Sequence, residues 1–548
     1  MRSIATFVAI AAAAGISVLH AQGNGQKPST SGPTFKSSTR LVQVSVVVQD
    51  GRRRPVTDLK PEDFEIFEDG KPQPVSVFSV RGQAPSDAVA EGTGVFTNRL
   101  QSPTGGGVVA IVFDRLNTSF TEQTQAREHI VKYLGQVRPE DRVALFLLDE
   151  NGMSILHDFS KDAGSLLRAM TRAQSTQSST LAGAQLPQFA DQMEANLDAF
   201  ARGNLANMHA FYQRILAYTT IEALEDVAAY LQGFPGRKNL IWVSSGFPFG
   251  ITNFGPGGTS DITLMSPETR RATRALNHAD VSVYPVDARG LVGAFSTHPS
   301  ARVQEFSTIY SVQGPIDGLR HVADWTGGRA FYNTNDLGSA INGAVKDSDL
   351  TYVLGYYPEN QKWDDRFRQI KVKVKRGGLE VRHRSGYFAV PPDAPDNDTR
   401  QKAIVAALDS PLETTSLPIT VTVEPAGNGR VTLAIQLDRS APSLVKENGL
   451  WVGSVDVAIS QTLPSGKNAR EADVTLPFSL SDEMRDRLLK EGLHLTRTVQ
   501  LNPDAHQLRV VVRDVATGTT GSVIITASQI DRRDRQKTTG PERGTVTR

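Results

Sequence analysis

The run VVAIVFDRLNTSF, Val108 to Phe120, carries the residues best suited to chemistry. Strand-type apolar residues end at Asp114, and Asn117, Thr118 and Ser119 crowd the positions just after it. A carboxylate at a strand tip with hydroxyls close behind suits three tasks: holding a metal ion, holding a phosphate, or capping the helix that follows. Other candidates are sparse. Ser244 and Ser245 in VSSGF stand at a strand-to-turn junction, and a hydrolase would need one of them as nucleophile with a histidine such as His278 or His321 as base. The G-x-S-x-G elbow that exposes such a serine is missing. The ten histidines include no H-E-x-x-H pair or other close ligand spacing. No Walker loop or G-x-G-x-x-G follows the first strand, and the absence of cysteine removes thiolate chemistry and any disulfide framework.

The elements that must position Asp114 follow from the hydrophobic pattern. From Gly105 onward, short apolar runs alternate with amphipathic stretches. Strands are expected at Val108 to Phe113, Arg142 to Leu148, Asn239 to Val243, Val281 to Val286, Arg329 to Tyr332 and Thr351 to Tyr356. Helices are expected between them, at Thr121 to Leu134, Asp162 to Arg172, Pro267 to Asn277, Pro315 to Trp325 and Asp336 to Lys346. Such alternation means an α/β unit over 105–358, with a mainly parallel sheet and helices on both faces. Ser119 and Glu122 form a capping box ahead of Ala126, Ile130 and Leu134, which share one helix face. Ser266 and Pro267 mark another helix start. The polar stretch 174–215 reads as a helical insertion at the edge or top of the sheet.

Flanking segments have a different grammar. Residues 39–84 alternate apolar and polar positions between the turn signals Asp50-Gly51 and Asp69-Gly70, an N-terminal β-module. Residues 359–390 read as a β-hairpin about Gly377-Gly378, 391–416 as a linker, and 417–530 as short strands spaced as in a C-terminal β-sandwich. Residues 1–21 have one arginine, a short apolar core and a small residue at Ala21, the pattern of a cleaved export signal; an uncleaved anchor is the alternative. Residues 22–38 are expected to form a disordered linker and 531–548 a disordered tail. Nothing later is long and apolar enough to span a bilayer. With 59 basic against 58 acidic residues in 548, no general field draws nucleic acid, so any partner is recognised locally.

The alternation, the aspartate ending the first strand, TTIEALEDVAAYL and KNLIWVSSGFP resemble a von Willebrand factor A-type (VWA) domain. PEDFEIFEDGK, RVALF, TGGRAFYNTNDL, YVLGYYP and IKVKV with RSGYF resemble its bacterial VWFA-related branch, first noted in Acidobacteria. The resemblance covers roughly 38–390 and implies a Rossmann-like core. It also implies a metal-ion-dependent adhesion site: D-x-S-x-S after the first strand, a threonine from a second loop, an aspartate from a third, and a partner's carboxylate completing the octahedron. Carried over by position, Asp114 matches the first residue, Thr118 the fifth, and Thr220 the second-loop threonine. Leu116 replaces the middle serine, and Ser245 falls where the third-loop aspartate is expected; Asn117 and Ser119 stand near enough to compensate through a shift in the loop.

The expectation is therefore an exported periplasmic or secreted protein without enzymatic activity that binds a protein or cell-envelope partner, with a degenerate site taking Mg2+ or Ca2+ at Asp114, Thr118, Ser119, Thr220 and Ser245. A purely structural envelope module without metal and an envelope hydrolase are the alternatives.

Overall fold

The computed structural model describes residues 41–81, 95–98, 108–137, 141–183, 199–234, 236–247, 266–289, 316–333, 337–347, 350–390, 397–438, 443–447, 449–465, 468–527 and 529. The segments expected to be an export signal (1–21), a linker (22–38) and a tail (531–548) lie outside them.

The central sheet is built from β1 (Val108–Asp114), β2 (Arg142–Asp149), β3 (Gly152–Ser160), β4 (Lys238–Ser244) and β5 (Val281–Asp287), in the spatial order β5-β4-β1-β2-β3. All pairings are parallel except β2 with β3. Every residue of β1, β4 and β5 is buried, as expected of strands covered on both faces. Side chains alternate along each strand and feed two cores. Ala110, Val112, Phe146, Leu240 and Trp242 face α3 (Ala199–Leu231), α4 (Pro267–His278) and the helix at 316–326, α5. Ile111, Phe113, Leu145 and Ile241 face α1 (Phe120–Leu134), α2 (Ala163–Arg172) and α6 (Leu337–Lys346).

Local signals carry through. Ser119 caps α1 in a capping box with Glu122, Ala126, Ile130 and Leu134 are buried on one face, and Ser266 caps α4 with Pro267 at its first position. The end of the 174–215 stretch belongs to α3, whose 33 residues run on through TTIEALEDVAAYL to Leu231 as one helix.

Long-range pairing departs from the sequence reading. Thr351–Tyr356, assigned to the α/β run, pairs antiparallel with Val42–Gln49, which also pairs with Glu380–Arg382. Phe367–Val374 pairs with Phe64–Glu68 and Gly386–Phe388, so Gly377-Gly378 turns the chain from one sheet to another and is not the tip of a hairpin. The 39–84 and 359–390 segments thus share one core, with Val44, Val46, Phe64, Tyr352, Leu354 and Ile370 all buried in it. A strand pattern states which faces are apolar but not which segment covers them. The expected strand at Arg329 to Tyr332 reduces to one bridge, Phe331 to Val286. Much of the expected linker at 391–416 is helix Asn397–Asp409, whose Ile404, Ala407 and Leu408 pack on Ala458 and Val511. In 417–530, two antiparallel sheets enclose a shared core, and Val95–Thr97, from before the α/β unit, joins one of them beside Ile419–Gly427.

Both flanking units attach away from the carboxyl ends of the central strands. The first meets the turn before β5, where Ser45 Oγ donates to Asp280 (2.9 Å), and the end of α6, where Gln49 donates to Asp347 (2.8 Å). The second meets the last turns of α3, through Ser410 Oγ on Asp226 (2.7 Å) and Thr415 Oγ1, which accepts from Gly233 N (2.8 Å). Among the described residues, no helix is long and apolar enough to cross a membrane.

Candidate functional site

Three aspartates close central strands at the carboxyl edge: Asp114 on β1, Asp149 on β2 and Asp287 on β5. Two are answered by cations. Arg115 Nη2 donates to Asp149 (2.7 Å), and Arg289 forms a forked pair with fully buried Asp287 (3.0 and 2.9 Å). Asp114, also fully buried, has neutral partners instead. Its Oδ1 accepts from Asn117 N (2.9 Å), and its Oδ2 accepts from Asn117 Nδ2 (2.9 Å) and Trp242 Nε1 (3.0 Å). Loss of hydration pushes its pKa up, against the opposing pull of these donors.

Each nominated residue has a definite place. Thr220, on α3, donates its hydroxyl to Leu216 O (2.7 Å) and accepts from Asn117 Nδ2 (2.8 Å), so the Asn117 amide links it to Asp114. Thr118 Oγ1 accepts from Ser245 N (3.2 Å). The hydroxyls of Ser119 and Ser245 both donate to Glu122 Oε2, each at 2.8 Å. The structure thus brings Asp114 and Thr220 together through Asn117, Thr118 to the Ser245 backbone, and Ser119 and Ser245 together through Glu122. Leu116 is buried in the core. Gln123 ties the loop down from behind, donating to Thr118 O (2.8 Å) and Thr176 O (2.9 Å).

A hard divalent ion needs open oxygen lone pairs in near-octahedral order. Here Asp114 accepts three hydrogen bonds, Thr220 and Thr118 accept from nitrogen, and the two serine hydroxyls are gathered on Glu122 instead of on Asp114. The donor set in this arrangement does not fit a resident Mg2+ or Ca2+. Among the described residues, no cluster of three or more His, Asp or Glu side chains is placed to hold a metal elsewhere.

Among the described residues, the serines and histidines considered for hydrolysis are not brought together. Ser244 Oγ donates to Gly246 O (2.8 Å). His278 ends α4 beside the start of β5 and contacts Gln232 Nε2 (2.7 Å), a strand length of roughly 23 Å from Ser244. His321 stacks on Trp325 (5.7 Å between centroids), and its Nδ1 has no hydrogen-bond partner. The sequence reading missed the carboxylate role of Glu122 towards Ser245, the bridging amide of Asn117 and the indole donor Trp242. The capping box signalled the first in part, whereas the Trp242 contact depends on register across the β1–β4 pair and the Asn117 bridge on the packing of α3 against the loop.

Two aromatic side chains on the helices that join this network are exposed to solvent. Phe120 opens α1, three residues after Asn117, and is 55 % exposed; Tyr218, two residues before Thr220, is 51 % exposed.

No family model and no curated protein matches the chain. Among solved structures, the SpRpn10 VWA domain aligns at 10 % identity over 44 % of this chain and 97 % of that one, with a TM-score of 0.21. Proximal thread matrix protein 1 from the mussel byssus aligns at 8 % identity over 44 % and 47 %, with a TM-score of 0.23. The pilus adhesin SpaC from Lactobacillus rhamnosus GG, in its open conformation, aligns at 9 % identity over 87 % and 57 %, with a TM-score of 0.25. Superpositions this loose assign neither family nor function, and the architecture rests on the strand order and register given above.

Proposed function

We propose that the chain is an exported, non-enzymatic binding or scaffold protein. Its central unit is a VWA-type domain that presents the carboxyl edge of its sheet to a protein or cell-envelope partner. The observation that carries the reading is a pair of exposed aromatics, Phe120 and Tyr218, on the two helices, α1 and α3, that join a polar loop fixed by its own hydrogen bonds. Aromatic anchors beside a rigid polar patch bury large area at small entropic cost, the composition of binding hot spots. Attachment of both flanking units through other parts of the α/β unit supports the same face, as do the VWFA-related motifs in the sequence. The hydrolase alternative finds no support in the geometry, because neither serine hydroxyl is bonded to a histidine.

The test is capture from envelope extracts by the immobilised full chain, with Phe120→Ala/Tyr218→Ala beside a control, Leu489→Ala, whose side chain is exposed on the C-terminal unit. A partner retained by wild type and control but lost by the double variant supports the reading. Equal retention by all three refutes it.

A further inference from the structure

We infer that the side-chain amide of Asn117 takes the place of a cation in the Asp114 loop, so that the loop holds its shape without divalent ions. A cation in such a loop joins groups by accepting their lone pairs. The Asn117 amide joins the same kinds of group by donating to them: one nitrogen lies 2.9 Å from Asp114 Oδ2 and 2.8 Å from Thr220 Oγ1. Proton directions agree along the chain of bonds. Thr220 spends its own proton on Leu216 O, which leaves its oxygen free to accept from the amide, and Asp114 only accepts. Trp242 fills a further lone pair on the same carboxylate oxygen from below, and Asn117 is 7 % exposed, so the bridge is shielded from competing water.

Two other residues fit a loop wired this way. Leu116 is buried in the core and offers no oxygen, and Ser245 directs its hydroxyl to Glu122. Neutral donors suffice because Asp114 has three of them in a preformed array. This inference concerns the internal wiring of the loop and stands or falls separately from partner binding.

The experiment follows thermal unfolding of the full chain, first stripped with EDTA, with and without Mn2+, alongside Mn2+ binding read by electron paramagnetic resonance. Wild type is expected to melt at the same temperature in both conditions and to bind no stoichiometric Mn2+. Asn117→Asp places a second carboxylate against Asp114; it is expected to melt several degrees lower in EDTA, to recover with Mn2+ and to bind one ion. Asn117→Ser, which removes the bridge without adding charge, is expected to melt lower than wild type in EDTA and serves as the test if the aspartate variant does not fold. A fall in the wild-type melting temperature on chelation overturns the inference, as does one Mn2+ bound to wild type and lost in Asp114→Asn. Full wild-type stability of Asn117→Ser in EDTA also overturns it, because an amide joining two elements cannot be removed at no cost.

Discussion

Where the C-terminal unit meets α3, protonation should strengthen the fold. Asp226 accepts from Ser410 Oγ and Glu413 accepts from Ile524 N (2.7 Å each), and the nearby guanidinium of Arg509 is committed to the carbonyls of Ala407 and Leu412. Burial lifts Asp226 to about 6, with Glu222 and Glu225 adding to the rise, and lifts Glu413 to about 7, with Asp158 adding; Arg509 pulls both down. From ordinary values of 3.8 and 4.5, each group moves by roughly two units, and one unit corresponds to about 1.4 kcal/mol. A folded-state pKa above the unfolded one means that the folded form holds the proton more tightly. The penalty is therefore full above about pH 7 and is relieved as pH falls towards 4. Both carboxylates keep some solvent contact, so about half the ideal figure is retained, which gives about 2 kcal/mol gained between pH 8 and pH 5. The assay is urea unfolding of wild type and Asp226→Asn/Glu413→Gln at both pH values. The double variant should be more stable than wild type by about 3 kcal/mol at pH 8, with about 2 kcal/mol of that difference gone at pH 5. A variant no more stable than wild type at pH 8 would show that the two carboxylates are not penalised in the fold.

Asp114→Ala orphans three buried donors, on Asn117 and Trp242, and should cost about 3–5 kcal/mol in urea unfolding, far more than loss of a simple helix cap. Gly328→Ala would set a Cβ 1.8 Å from Val283 O, between α5 and β5, and should abolish soluble expression. Gly343→Ala, in α6, meets only Phe331 at 3.7 Å and should raise stability by up to about 1 kcal/mol. An ester, peptide and glycoside panel should show no turnover; turnover lost in Ser245→Ala would overturn the non-enzymatic reading.

Features that depend on near neighbours were legible in the sequence. The strand ending at Asp114, the Ser119–Glu122 capping box and the Ser266-Pro267 helix start each need only residues a few positions apart. Features that depend on distant pairing were not. Thr351–Tyr356 has the apolar pattern of a parallel core strand, yet its partner, Val42–Gln49, lies some three hundred positions earlier. The helix Asn397–Asp409 was obscured by the Pro and Asp residues just before it, although Ile404, Ala407 and Leu408 have helical spacing. At the loop, the sequence placed an amide, Asn117, among potential ligands; only geometry separates an amide that accepts through oxygen from one that donates through nitrogen.

The most direct test of the account measures affinity of the full chain for its captured partner in EDTA, comparing wild type with Phe120→Ala/Tyr218→Ala. The account predicts that wild type keeps its affinity in chelator and that the double variant loses at least about tenfold, the loss of roughly 1.4 kcal/mol expected for a hot-spot pair. Loss of wild-type binding in EDTA, or unchanged affinity in the double variant, would contradict it.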